Sequence, residues 1–135
     1  MTSGSPADAA KERGNTLFKA GKYRDAVQAY TEAIAQDESS APLLLLNRAA
    51  AYLALSDYRS GVNDCRLAIQ KQGSEATAKA FTRLAKCYIG LGELSLAAEA
   101  ARSAANAASA TPAEQTQAAD VSNQVRDIEK HLASF

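Results

Sequence analysis

Gly14-x-x-Leu17-Phe18-x-x-Gly21-x-Tyr23-x-x-Ala26-Val27-x-x-Tyr30-x-x-Ala33-Ile34 decides the fold of this chain, because the chain repeats that pattern twice more. A shift of 35 residues lays it on Ala49-x-x-Tyr52-Leu53-x-x-Ser56-x-Tyr58-x-x-Gly61-Val62-x-x-Cys65-x-x-Ala68-Ile69. A further 36 residues bring it onto Ala85-x-x-Tyr88-Ile89-x-x-Gly92-x-Leu94-x-x-Ala97-Ala98-x-x-Ala101-x-x-Ala104-Ala105. Self-similarity at such a period is the signature of a stacked array of one supersecondary unit. Each copy reads as two amphipathic helices joined by a short turn, with small residues where the helices must approach and large ones where a gap must be filled. The expected fold is therefore all-α, one helical hairpin used three times.

Capping chemistry sets the expected limits. Ser5-Pro6-Ala7-Asp8 offers an N-cap hydroxyl, a proline for the first helical position and an acid for the first turn. Residues 1–5 are then a flexible tail, and the three units occupy about 6–38, 41–72 and 76–108, within 6–109. Thr111-Pro112-Ala113-Glu114 repeats the start signal as a capping box, and Ala118, Val121, Val125, Ile128 and Leu132 follow at helical spacing on one stripe. A seventh helix over 111–134 is expected to seal the apolar face that an open stack leaves on its last member. The second helix of the third copy, about Leu94 to Ala108, is alanine-rich, which favours helix and buries little area per residue.

The 135 residues make one modest domain, and a composition of 47% hydrophobic and 22% charged residues is that of a soluble globular chain rather than a disordered one. Fifteen basic residues balance fifteen acidic ones, so no overall field points to nucleic acid or an anionic membrane. No apolar run approaches the ~20 residues needed to span a bilayer, and the first ten residues lack the apolar core of a signal peptide. A cytoplasmic monomer is expected. Cys65 and Cys87 fall where the pattern elsewhere carries small apolar residues and read as reduced, packed thiols.

The repeated residues resemble the tetratricopeptide repeat, a helical hairpin of roughly 34 residues, over about Pro6 to Ala107. The resemblance implies a right-handed superhelical solenoid of three hairpins with a capping helix, the first helix of every hairpin lining a concave inner surface. Two departures stand out. The proline that closes the family's units is absent, with Asp37-Glu38 and Gln70-Lys71 in its place, and one or two extra residues lengthen the inter-repeat turns, where insertions cost little.

Charge sorts onto the helices expected to face inward. From Ser39 to Ser56, Arg48 is the only charged residue; from Ala76 to Gly92, Lys79, Arg83 and Lys86 appear without one acid. Lys11 with Asn15, and Lys79 with Arg83, are each four apart and so share a helix face, and Asn47 lies on the helix between them. A concave cationic groove favours anions. The arrangement Lys-x-x-x-Asn, Asn-Arg, Lys-x-x-x-Arg resembles the dicarboxylate clamp of co-chaperone tetratricopeptide domains. Those domains hold the C-terminal Glu-Glu-Val-Asp of the seventy- and ninety-kilodalton heat-shock proteins. The resemblance implies that Lys11, Asn15 and Asn47 hold the terminal carboxylate region and that Lys79 and Arg83 engage the Asp side chain or the upstream peptide. Peripheral peptide contacts are assigned to Phe18, Phe81 and Lys86, where Phe81 is also core by spacing and Lys86 is equally a solvated surface lysine. Arg48 reads as a packing or inter-repeat salt-bridge residue.

An enzyme is not expected. The single histidine, His131, sits near the end of the terminal helix, and the chain has no Cys-x-x-Cys, no glycine-rich phosphate loop and no acidic pair in the groove, so no catalytic residue, metal or cofactor is assigned. The alternative function is a repeat scaffold that binds a different acidic or internal peptide segment. With no J-domain signature or other effector module present, the chain reads as a free-standing adaptor or an excised N-terminal region.

Overall fold

Ser5 opens the first helix by a reciprocal capping box, its hydroxyl accepting the Asp8 N–H at 3.2 Å while the Asp8 carboxylate accepts the Ser5 N–H at 3.3 Å. The computed structural model describes residues 5–134, so the tail expected over 1–5 lies, Ser5 apart, outside the described residues. The chain is all-α. Seven α-helices are found among the described residues: α1 Pro6–Lys19, α2 Tyr23–Gln36, α3 Ala41–Ala54, α4 Tyr58–Gln72, α5 Ala78–Leu91, α6 Leu94–Asn106 and α7 Pro112–Ala133.

The three hairpin turns are built alike, as the internal repeat requires. Gly21, Ser56 and Gly92 occupy equivalent positions and all take left-handed backbone, with φ of 78°, 60° and 78°. In each, the N–H of that residue donates three residues back and the next N–H donates five back: Lys22 to Leu17, Asp57 to Tyr52 and Glu93 to Tyr88, all at 2.9 Å. These bonds satisfy carbonyls that a helix C-terminus would leave orphaned and reverse the chain in two residues. Glycine takes this conformation without cost; Ser56 does not.

Single 3₁₀ turns link the hairpins, at Glu38–Ser40 and Gly73–Glu75. Asp37 organises the first, accepting the Ser39 N–H at 3.1 Å and the Ser40 hydroxyl at 2.9 Å. The second departs from the sequence expectation. Gln70 and Lys71 remain inside α4, and the helix stops only where Gly73 enters the left-handed region with φ of 60°.

The chain divides between Ala68 and Ile69, within α4, into two compact units. In the first, α1 packs on α2 and α2 on α3. Its core gathers Ala10, Ala26, Tyr30, Ala33, Leu44 and Ala51, with Leu17, Phe18, Val27 and Ile34 half-buried around them. Leu44 and Leu45, both wholly buried, supply large apolar area, each about 1.5 to 3 kcal/mol relative to exposure. In the second unit α5 packs on α6, and α7 lies against both. The seam there is made of small residues, Ala78, Ala104 and Ala118, with Phe81 and Ala105 at its edge. Along α7, Ala118, Val121 and Val125 are buried, but the apolar stripe then gives out: Ile128 is half-buried and Leu132 is 57% exposed. Cys65 in the first unit and Cys87 in the second are wholly buried thiols.

Candidate functional site

The α1 helix carries Lys11, Asn15 and Phe18, and α5 carries Lys79, Arg83 and Lys86. At about 100° per residue the offsets of four and seven bring each set of three onto one narrow stripe of its helix. Lys11, Asn15 and Phe18 are half-buried; Lys79 and Lys86 are exposed and Arg83 is half-buried. Asn47 is half-buried on α3, and among the described residues its side chain makes no hydrogen bond. Those six and Asn47 are seven of the eight residues expected to touch a ligand.

Phe81 is the eighth, and it lies elsewhere. Two residues beyond Lys79 is about 200° of rotation, so Phe81 falls on the side of α5 away from the Lys79 stripe, together with Leu84 and Tyr88. There it packs against the alanine seam and borders an open cleft of about 180 Å³ with Leu84, Tyr88, Leu96, Glu99 and Ala100. Its ring belongs to the α5–α6 packing and is not aligned with the polar row. Phe18 does share the stripe of Lys11 and Asn15, its ring meeting Tyr23 edge-on at 5.2 Å between centroids.

Asn15 is held in a defined orientation. The Tyr30 hydroxyl on α2 donates to Asn15 Oδ1 at 2.6 Å. Tyr30 itself is 3% exposed, its ring lying flat on Gly14 where a Cβ would come within 2.6 Å of Cε1. A repeat pattern reports only the size of the side chain at position 30, and the hydroxyl's reach to Asn15 is not displayed in it. Two residues before Asn15, Arg13 is held by a salt bridge to Glu32 on α2.

Arg48 turns out to be committed internally. Its guanidinium grips the Asp64 carboxylate in a two-pronged bond, Nε to Oδ2 at 2.8 Å and Nη2 to Oδ1 at 2.7 Å, while Nη1 donates to Thr31 Oγ1 at 3.0 Å. The Tyr52 ring lies 5.8 Å below the same cation. Asp64 is 5% exposed, and the bonded carboxylate raises the guanidinium's already high pKa further, burial opposing it. The salt bridge expected between repeats for Arg48 instead lies within the second hairpin, between α3 and α4, and what links Arg48 to the first hairpin is its hydrogen bond to Thr31. It follows that α3 contributes no net positive charge, and the cationic character of the polar residues rests on Lys11, Lys79, Arg83 and Lys86.

On each unit the polar side chains suit anionic oxygen: Lys11, Asn15 and Asn47 on the first, Lys79 and Arg83 on the second. Two asparagines donate without charge, two lysines supply mobile point charges, and an arginine presents a planar fork. No helix of the described residues is long and apolar enough to cross a membrane.

Residues 7–40 match the family Tetratricopeptide repeat. The Mitochondrial import receptor subunit TOM70 of Rattus norvegicus is 41% identical over 92 residues, which are 65% of this chain and 15% of that protein, so the chain spans only a small part of this relative's length. The second TPR domain of human RPAP3, whose structure was solved by NMR in complex with the HSP70 peptide SGPTIEEVD, is 34% identical, with 90% of this chain and 95% of that one covered and a TM-score of 0.77. The first TPR of Spaghetti (RPAP3), bound to the HSP90 peptide SRMEEVD, is 31% identical over 94% of this chain and 93% of that one, with a TM-score of 0.76. With such domains matched over nearly their whole length, the chain belongs to the tetratricopeptide repeat family.

Proposed function

We propose that this chain is a non-enzymatic, cytoplasmic co-chaperone module that binds the C-terminal Glu-Glu-Val-Asp of seventy- and ninety-kilodalton heat-shock proteins. The observation that carries the reading is that the two related domains above hold peptides ending in that sequence, at 34% and 31% identity to this chain. The chemistry agrees with it. A terminal carboxylate and the side chain of a final Asp set two negative groups side by side, and each requires several charge-assisted donors. Lys11, Asn15 and Asn47 take the terminal carboxylate region, Lys79 and Arg83 take the Asp side chain or the peptide upstream, and Lys86 and Phe18 meet the peptide at the periphery.

Titrating the protein with a peptide ending in Glu-Glu-Val-Asp, once as the free acid and once C-terminally amidated, tests this. The free acid is expected to bind in the micromolar range, about −8 kcal/mol, a modest value because a short peptide loses its chain freedom on binding. Amidation is expected to weaken it by at least about tenfold, one charge-assisted group being worth on the order of 1.5 to 3 kcal/mol. Equal binding of the two forms would assign the polar row to some internal acidic segment instead.

A further inference from the structure

Asn15 can serve a ligand in two ways, because a primary amide both donates and accepts. The contacts around it fix how the amide is turned, and so which end it offers. Its Oδ1 receives the Tyr30 hydroxyl at 2.6 Å, within the ordinary range for O–H···O, leaving the amide NH2 directed elsewhere. The Tyr30 ring that delivers this hydroxyl is 3% exposed and seated on Gly14, so the donor is anchored by packing and shielded from water that would compete for the same oxygen. The residues aligned with Tyr30 in the other two repeats are Cys65 and Ala101, neither of which carries a hydroxyl. Asn15 is half-buried, so its NH2 retains access to a ligand.

We infer that Tyr30 is a positioning residue that commits the Asn15 amide to donation, so the ligand group opposite Asn15 is an acceptor, a carboxylate oxygen, and not a peptide N–H. This rests on the peptide-binding reading above and adds to it the direction of one hydrogen bond and the residue that sets it. An amide locked in this way arrives pre-oriented, which lowers the ordering cost that a free Asn rotor adds to binding.

The test is a double-mutant cycle between Tyr30→Phe, which keeps the ring on Gly14 and deletes only the hydroxyl, and Asn15→Ala, read by calorimetric titration of the free-acid and amidated peptides. Tyr30→Phe is expected to weaken the free acid by about five- to tenfold, and to add no more than about twofold in the Asn15→Ala background. A direct spectroscopic readout accompanies it: the Asn15 side-chain NH2 resonances should show contacts to the Tyr30 ring in the unliganded protein and should broaden or shift on Tyr30→Phe. If wild type binds the free acid and rejects the amide while Tyr30→Phe binds like wild type, the positioning role is wrong and the peptide-binding reading survives. An equal loss from Tyr30→Phe with and without Asn15 makes Tyr30 a scaffold residue, which also overturns it. Wild type binding both peptides alike removes the reading and the inference together.

Discussion

The Tyr30 ring occupies the space that a side chain on Gly14 would need, with Cε1 2.6 Å and Cδ1 2.7 Å from where a Cβ would stand. Gly14 is in mid-helix, where alanine is ordinarily favoured by about 1 kcal/mol. Contact this close reverses the preference, because the ring is fixed by the core and overpacking costs about 1 to 3 kcal/mol or more. Gly14→Ala is therefore expected to destabilise the protein, by roughly 1 to 2 kcal/mol net. Urea denaturation at constant m-value is the measurement; an increase in stability would mean that the ring yields freely.

Ser56 stands in the turn where the equivalent positions carry Gly21 and Gly92, and it adopts the same left-handed backbone. For a residue with a Cβ that conformation costs about 1 to 2 kcal/mol, partly offset by glycine's greater freedom when unfolded. The hydroxyl contributes only an exposed 3.3 Å contact from Tyr58. Ser56→Gly is expected to raise stability by about 0.5 to 1 kcal/mol. Thermal unfolding of the variant beside wild type settles the sign.

Much of this architecture was legible because repeats announce themselves by self-comparison and caps by local chemistry. The three turns, the capping boxes at Ser5 and Thr111 and the alanine seam under α7 all follow from residues adjacent in sequence or in register. What escaped was decided by three-dimensional detail. Residues 30 and 15 meet through a phenol hydroxyl, and the pattern of a repeat reports only the size of the side chain. Phe81 reads from the sequence as core by spacing and as a peripheral peptide contact, and two residues along the helix set it on the face opposite Lys79. The α7 stripe was read to Leu132, yet α7 with its 22 residues is about 33 Å long and α6 with its 13 about 20 Å. The last turns of α7 outrun the helix beneath, which leaves Leu132 exposed.

Arg48 and Asp64 form a pair whose partners cannot be removed singly. With Arg48→Ala, Asp64, 5% exposed in the intact pair, is left carrying a charge that nothing answers. The expected cost is about 3 to 5 kcal/mol, most of it the unpaired carboxylate and not the pair's own net worth. Arg48→Met combined with Asp64→Leu should recover most of that loss, since apolar groups of similar size can replace a buried pair at little cost. Chemical denaturation of the single and double variants checks this, and a double variant no better than the single would show that packing around Thr31 and Tyr52 governs the site.

Asp37 gives stability a weak acid limb. Hydrogen bonds from the Ser39 and Ser40 hydroxyls hold its carboxyl below the usual aspartate value. A depressed folded-state pKa contributes stability that is fully present above the unfolded value, about 3.9, and is lost as pH falls through the folded one. Asp37→Asn should therefore lower the melting temperature slightly near neutral pH, with the difference closing as pH falls from the unfolded value through the lower folded one. Melting curves of both proteins across that window read it, and a difference that persisted in acid would trace to turn geometry instead of charge.

Lys79 and Phe81, two residues apart on α5, separate binding from stability. Lys79 is exposed on the polar stripe, so Lys79→Ala should leave the unfolding free energy within about 0.5 kcal/mol. Its effect belongs to the peptide: removing one charge-assisted donor is expected to cost on the order of 1.5 to 3 kcal/mol of affinity, and the loss should shrink as salt rises because the charge is solvent-connected. Phe81 faces the α6 seam, so Phe81→Ala should instead lower stability by roughly 2 to 4 kcal/mol, somewhat less than for a fully buried ring, with affinity unchanged once the folded fraction is accounted for. Peptide titrations and urea unfolding on both variants form a crossed design. If Lys79→Ala bound the free-acid peptide like wild type, Lys79 would have no part in recognition, and the contribution of the α5 stripe would rest on Arg83 and Lys86.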